Sequence, residues 1–185
     1  MQVIAGSAKG RRLKTVRGFD TRPTADRVRQ SIFDVLGPDV HGATVLDLFA
    51  GSGALGIEAL SRGASEAVFV ETGGEACAAI RANLAATGFA GRGTVRRADA
   101  LRWLAGLRSR PFDLVFLDPP YARGLAFVAR ILEKLAARGW VRIGGTVVAE
   151  AAAGELSLPS GFRETRMLTF GRTQVRVAVW EHADR

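Results

Sequence analysis

From Ala43 onward the chain alternates short apolar runs with helical stretches, and that alternation restricts the fold more than any other feature. Runs at 44–49, 67–71, 93–97, 113–117 and 145–150 have the length and the branched or aromatic content of buried strands. Between them, 54–61, 75–87, 100–107 and 125–138 read as helices, with Gly63, Gly88 and Gly139 as stops. Strands joined through helices run parallel, and five such units make a doubly wound sheet. After 150 no helix intervenes. Residues 163–170 and 174–180, joined at Gly171-Arg172, read as an antiparallel pair. The expectation is an α/β chain with a mainly parallel, seven-stranded sheet and an antiparallel carboxyl-terminal hairpin.

The first residues follow a different pattern. Residues 2–16 alternate loosely around Gly6-Ser7-Ala8-Lys9-Gly10, as a small hairpin does. Pro23 keeps the residue before it out of the helical region, so a helix begins near Thr24, with Asp26 in its first turn. Val28, Ile32, Val35 and Leu36 form its apolar stripe, which would leave Arg27 and Arg29 on other faces. Gly37-Pro38 ends it. Residues 1–37 are therefore expected as a hairpin-and-helix extension, and 38–185 as the main domain.

Charge separates the same two parts. The chain carries a net +8, of which the first 30 residues supply +6. A basic patch confined to one end points to a polyanion, and with no amphipathic apolar stripe beside it, to nucleic acid before membrane. No apolar run approaches the roughly 18 residues that span a bilayer. The amino terminus lacks the order of a secretory signal, and the single Cys77 excludes an internal disulfide. Cytoplasm is the expected compartment, without a metal centre.

The strand at 113–117 stops at Pro119-Pro120, which fix φ and donate no backbone hydrogen bonds. Asp118 and Tyr121 are thus held on a stiff turn at a strand's carboxyl end, where open α/β sheets place their chemistry. An exocyclic amine conjugated to a base is a poor nucleophile. A carboxylate and a backbone carbonyl that both accept its hydrogens draw it toward tetrahedral geometry and free the lone pair. Asp118 and the Pro119 carbonyl suit that task, and Tyr121 can stack on the flat base.

Asp47-Leu48-Phe49-Ala50-Gly51-Ser52-Gly53 lies where a strand turns into a helix, and Gly56 completes Gly-x-Gly-x-x-Gly. Alone, this turn fits any adenosine-containing cofactor. Asp47, Glu71, Asp99 and Asp118, however, fall at the ends of four successive strands or in their loops. Such a row of carboxylates repels a pyrophosphate and accepts a cation that has an amino-acid end. S-adenosyl-L-methionine fits: Asp47 near its ammonium, Gly51 and Gly53 giving space, Glu71 on the ribose, Asp99 near the adenine amine.

Gly10-Arg11, Arg22-Pro23-Thr24, Asp26 to Arg29, the glycine turn from Leu46 to Gly53, Gly56, Glu58 to Ala64, Glu71 and Asp118 to Tyr121 together resemble the bacterial RsmD family. The likeness runs over nearly the whole chain. The Arg-Pro-Thr helix entry and basic hairpin narrow it, because the other motifs are shared by many amino-methyltransferases. The resemblance implies a Rossmann-like class I methyltransferase fold and methylation of the N2 amine of a guanine in small-subunit (16S) ribosomal RNA. It implies cofactor contacts at Asp47, Phe49, Gly51, Gly53, Glu71 and Asp99, and a target-base site at Asp118, Pro119 and Tyr121. Lys9, Arg11, Arg12, Lys14, Arg22, Arg27 and Arg29 are the expected RNA contacts. A monomer acting on a small-subunit assembly intermediate is the expected context. Thr72-Gly73-Gly74 departs from the polar or acidic residue usual after Glu71, which leaves adenine-side contacts there open.

Asp-Pro-Pro-Tyr alone does not separate guanine N2 from adenine N6, so an N6-adenine methyltransferase remains a rival, as does a catalytically silent RNA-binding assembly factor. His41 and His182 read as surface residues and Cys77 as a small core residue. Trp103, Trp140 and Trp180 read as packing anchors.

Overall fold

The computed structural model describes residues 1–16, 23–106, 110–154 and 156–182, with the backbone alone at 23–25 and 121. Helix α1 (Pro23–Leu36) precedes β1 (Thr44–Leu48), α2 (Ala54–Ser61), β2 (Glu66–Glu71) and α3 (Gly74–Thr87). Then come β3 (Gly93–Arg97), α4 (Ala100–Ala105), β4 (Phe112–Leu117) and α5 (Gly124–Ala137). Strands β5 (Val141–Ala152), β6 (Phe162–Phe170) and β7 (Thr173–Trp180) close the chain. The sheet order is β3-β2-β1-β4-β5-β7-β6. The first five strands are parallel and β7 enters antiparallel between β5 and β6. This is the expected architecture.

Strand alternation sorts the core into two layers. Val45, Ala67, Phe69, Leu114, Phe116, Val148, Val175 and Val177 face one side, under α1, α2 and α3. Leu46, Leu48, Val70, Val115, Leu117, Val147, Ala149 and Ala151 face the other, under α4 and α5. Trp103 and Trp140 pack on one another at 4.5 Å there, and the Trp140 Nε1–H donates to the Leu104 carbonyl. Trp180 packs on Phe162. All three tryptophans are packing residues, as expected, and Cys77 is buried.

Strand β5 starts earlier than its apolar run. Phe112 pairs with Val141, but Leu114 pairs with Thr146, so a bulge takes up the additional residues. Gly144 has φ of 80°, and a Cβ on Gly145 would lie 2.8 Å from the Arg142 carbonyl. Gly144-Gly145, where the apolar run of the sequence begins, forms this bulge.

The hairpin is reduced to one bridge, Gln2 opposite Arg12, and its loop is pressed onto the end of α2. A Cβ at Gly6 would sit 1.9 Å from the Ser61 carbonyl oxygen. Glu58, 1% exposed, accepts the amides of Ile4 (2.7 Å) and Ala5 (2.9 Å) and the Arg62 Nε–H (2.8 Å). Ser61 Oγ donates to the Ala5 carbonyl and accepts the Ala8 amide. Val3, Ala8 and Leu13 reach the core on the α1–α3 side.

Candidate active site

The turn after β1 is built by backbone conformations that few side chains tolerate. Phe49 has φ of 62°, Gly51 of 55° and Gly53 of 82°. A left-handed phenylalanine is costly and is held by its surroundings. Its ring meets Phe127 of α5 edge-on at 5.7 Å, and the Arg123 guanidinium covers the Phe127 ring at 4.9 Å. Phe49 thereby ties the glycine turn to the segment that follows Pro119-Pro120. At Gly53 a Cβ would stand 3.2 Å from Ile80, and at Gly56 2.3 Å from the Phe69 ring. Gly56 thus lets α2 lie close enough for its amide to donate to Asp47 Oδ2 at 2.9 Å.

Asp47 is 1% exposed, and burial pushes its pKa up to about 7. The Gly56 amide works against that rise and the Glu71 charge adds to it. Glu71 spans two turns: its Oε2 accepts the Gly51 amide at 2.9 Å, and its Oε1 accepts the Gly73 amide at 2.8 Å. The amide that a pyrophosphate would use is therefore already held by a carboxylate. A phosphate-free cation fits this turn and a dinucleotide does not. Asp99, half-buried, caps α4 by accepting the Arg102 amide at 3.0 Å.

Asp118 follows directly on β4, with Pro119 buried beside it. The residue is exposed, yet its pKa is raised well above the ordinary carboxylate value, first by desolvation and then by Glu150 and Asp47. The side chain of Tyr121 lies outside the described residues, while its backbone opens a short 3-10 turn over Tyr121–Arg123.

Two residues that the sequence reading passed over complete the site. Glu150 lies on β5 beside Asp118; its signal was that a fifth strand also ends in a carboxylate. Asn83, 1% exposed, exchanges bonds with both Lys14 backbone groups (2.7 and 3.0 Å) and donates to the Ser52 carbonyl at 2.9 Å. It fastens the basic arm to the glycine turn, and a lone asparagine in an alanine-rich helix gave no warning.

Residues 1–179 match the family described as Conserved hypothetical protein 95. Ribosomal RNA small subunit methyltransferase D of Escherichia coli is 40% identical over 141 residues, covering 76% of this chain and 69% of its own length. The chain belongs to the RsmD family. The Bacillus subtilis protein YlbH is 41% identical over 96% of this chain and 97% of its own. The solved structure of Escherichia coli yhhF superposes with a TM-score of 0.88 at 34% identity, over 100% of this chain and 99% of that one.

In this RsmD-family chain the basic residues divide. Lys9, Arg11, Arg12, Lys14 and Arg27 are exposed on the hairpin and α1, and Arg12 lines a shallow cavity of about 340 Å³ with Gln2, Leu13 and Asp26. Arg22 lies outside the described residues. Arg29 does not stand where a phosphate contact needs it. It is 4% exposed, donates to the Gln2 carbonyl (2.6 Å) and Asp26 (3.0 Å), and pairs with Glu58 at 3.9 Å. Burial lowers its pKa, and Asp26 and Glu58 partly restore it. The expected stripe holds, with Val28, Ile32 and Leu36 buried and Val35 packed against the core, and the buried face widens to take in Phe33 and Arg29.

Proposed function

We propose that this protein is an S-adenosyl-L-methionine-dependent methyltransferase that modifies the exocyclic N2 amine of a guanine in small-subunit ribosomal RNA. The observation that carries the reading is Asp118: a carboxylate on a proline-stiffened strand end, on the sheet edge that also bears the Asp47–Glu71 turn. Family membership supports the substrate class, since the Escherichia coli relative is named for small-subunit ribosomal RNA. A more distant structural neighbour, SMU.776, was solved with S-adenosylhomocysteine, the demethylated form of the same cofactor.

Asp47, Phe49, Gly51, Gly53, Glu71 and Asp99 would hold the cofactor, which supplies an electrophilic methyl group on a sulfonium. Asp47 offers a counter-charge to an ammonium, and Glu71 keeps its carboxylate at the ribose side of the turn. Asp118 and the Pro119 carbonyl accept the two hydrogens of the target amine, so that its lone pair points away from the ring plane. Once methylated, the nitrogen is acidic and sheds its proton without a strong base. Residues 1–37 act as the RNA-gripping extension and 38–185 as the methyl-transfer domain. The substrate in this reading is a small-subunit assembly intermediate, met by a monomer.

Asp118→Ala tests the assignment. It should abolish methyl transfer to unmodified small-subunit particles while leaving S-adenosylhomocysteine binding within about twofold. Unchanged turnover would remove Asp118 from the chemistry. Nucleoside mass spectrometry of the product separates N2-methylguanosine from N6-methyladenosine, and no binding of S-adenosylhomocysteine by the wild type would leave only the silent assembly factor.

A further inference from the structure

A cation outside the basic arm stands on the turn that holds Asp118. The 3-10 turn over Tyr121–Arg123 closes where the Arg123 amide donates to the Pro120 carbonyl at 2.9 Å. The backbone of Arg123 is therefore tied to the same proline pair that stiffens Asp118. Its side chain is exposed, and the guanidinium lies over the Phe127 ring at 4.9 Å. Phe127 in turn meets Phe49 of the glycine turn at 5.7 Å. Arg123 thus rests on the aromatic pair that links the glycine turn to the turn after β4.

Many arginines of this chain are exposed, and a solvated guanidinium on an aromatic ring is ordinary surface packing. Arg123 differs in its position and in what it leaves unspent. The ring covers one face of the guanidinium and fixes its plane, while the N–H donors lie along its edge. Among the described residues Arg123 enters no ion pair, so no carboxylate occupies that edge. A planar fork of donors with its orientation set in advance suits an oxyanion, and the polyanion that the proposed reaction brings is RNA.

The place of Arg123 in the fold gives that contact a use. Val3 and Leu13 of the basic hairpin join the core layer under α1, α2 and α3, whereas Phe127 joins the layer under α4 and α5. Arg123 and the hairpin therefore belong to opposite faces of the sheet. A base that reaches Asp118 has left its stack, and the backbone beside it turns sharply outward. A hold next to that turn fixes where the amine arrives, which a grip on the other face does less directly.

We infer that Arg123 is a substrate-positioning residue: its guanidinium binds a backbone phosphate beside the target nucleotide and seats the base against Asp118. The inference rests on the reading of this turn as a base-amine methylation site.

The test compares Arg123→Ala, Arg123→Met and Arg123→Lys with the wild type, as full-length chains acting on unmodified small-subunit particles. Arg123→Met still covers Phe127 but has no donor and no charge. Calorimetry gives S-adenosylhomocysteine affinity, filter binding between about 50 and 200 mM salt gives the salt slope, and labelled cofactor gives the single-turnover rate at saturating enzyme. Arg123→Ala and Arg123→Met should both lose one phosphate contact, so the slope becomes shallower by about 0.7 to 0.9. Their single-turnover rate should fall about tenfold, with S-adenosylhomocysteine affinity within about twofold of the wild type. Arg123→Lys should restore the slope but only part of the rate, because an ammonium keeps the charge and lacks the fixed fork. An Arg123→Met enzyme with wild-type slope and rate overturns the inference, since covering Phe127 would then be the whole role. An unchanged slope in Arg123→Ala does the same. So does a loss of S-adenosylhomocysteine affinity as large as the loss of rate, which would make Arg123 a support of the glycine turn. A wild type that forms no N2-methylguanosine ends the guanine reading, while the salt slopes still decide whether Arg123 holds phosphate.

Discussion

Asp47 is enclosed by protein, accepts one backbone amide and titrates near pH 7 in the free protein. To meet an ammonium it must be ionised. Its pKa is raised, so below about pH 7 the free protein holds a proton that cofactor binding has to expel. Affinity for S-adenosylhomocysteine, which keeps the amino-acid end, should therefore fall as pH drops below 7 and level off above it. Between pH 8 and pH 6 the dissociation constant should rise about tenfold. Asp47→Asn keeps an oxygen for the Gly56 amide and loses the charge. Its binding should be weaker at pH 8 and flat across the same range, and calorimetry at the two pH values checks both. A wild type with pH-independent affinity would place the cofactor's charge elsewhere. The sequence showed this residue but not its titration, because burial depends on how closely α2 approaches the sheet, and the absent side chain at Gly56 decides that.

At the scale of elements, the strands and helices of the doubly wound sheet were legible, because apolar runs and helical spacing follow directly from burial on two faces. Two departures have local causes. Gly144-Gly145 reads as a boundary, yet the strand passes through it as a bulge, since a glycine pair satisfies both a turn and a left-handed kink. Arg29 is expected outside the buried face of α1 because it is charged, and periodicity arguments send charges outward, yet it is 4% exposed. What buries it is the hairpin, whose Gln2 carbonyl it binds, together with Glu58 of α2. Only tertiary structure brings those groups together, so no spacing within α1 could announce them. Arg29→Ala should then behave as a fold mutation. Removing one member of a buried ion pair costs roughly 3 kcal/mol, read as a lower midpoint in urea. The salt dependence of RNA binding by the folded fraction should stay as in the wild type. A shallower salt slope with full stability would return Arg29 to the RNA-contact set.

For the molecule as a whole, the separation of charge is the feature that, in the proposed reading, joins RNA binding to chemistry. The first 30 residues hold +6 of the net +8, and the exposed members Lys9, Arg11, Arg12 and Lys14 lie along the hairpin. That hairpin is held at both ends of its course. Glu58 and Ser61 fix its loop to the end of α2, and Asn83 fixes Lys14 to Ser52 in the glycine turn. If the arm grips a phosphate backbone as proposed, the buried Asn83 would register it against the glycine turn. Electrostatic grip of this kind releases counterions, and the logarithm of affinity falls linearly with the logarithm of salt. Each phosphate contact contributes a slope of about 0.7 for single strands and 0.9 for duplex. Reversing Arg11 and Arg12 together to Glu removes two contacts, so the slope should become shallower by about 1.5. Affinity at 50 mM salt should drop the most, with the loss shrinking toward 200 mM as screening removes the wild-type advantage. Because both side chains are exposed, the unfolding midpoint should stay within about 0.5 kcal/mol of the wild type, and S-adenosylhomocysteine should bind as before. Filter binding to unmodified small-subunit RNA across that salt range measures slope and affinity together. An unchanged slope would move the grip off the hairpin, and the distribution of charge would then serve solubility alone.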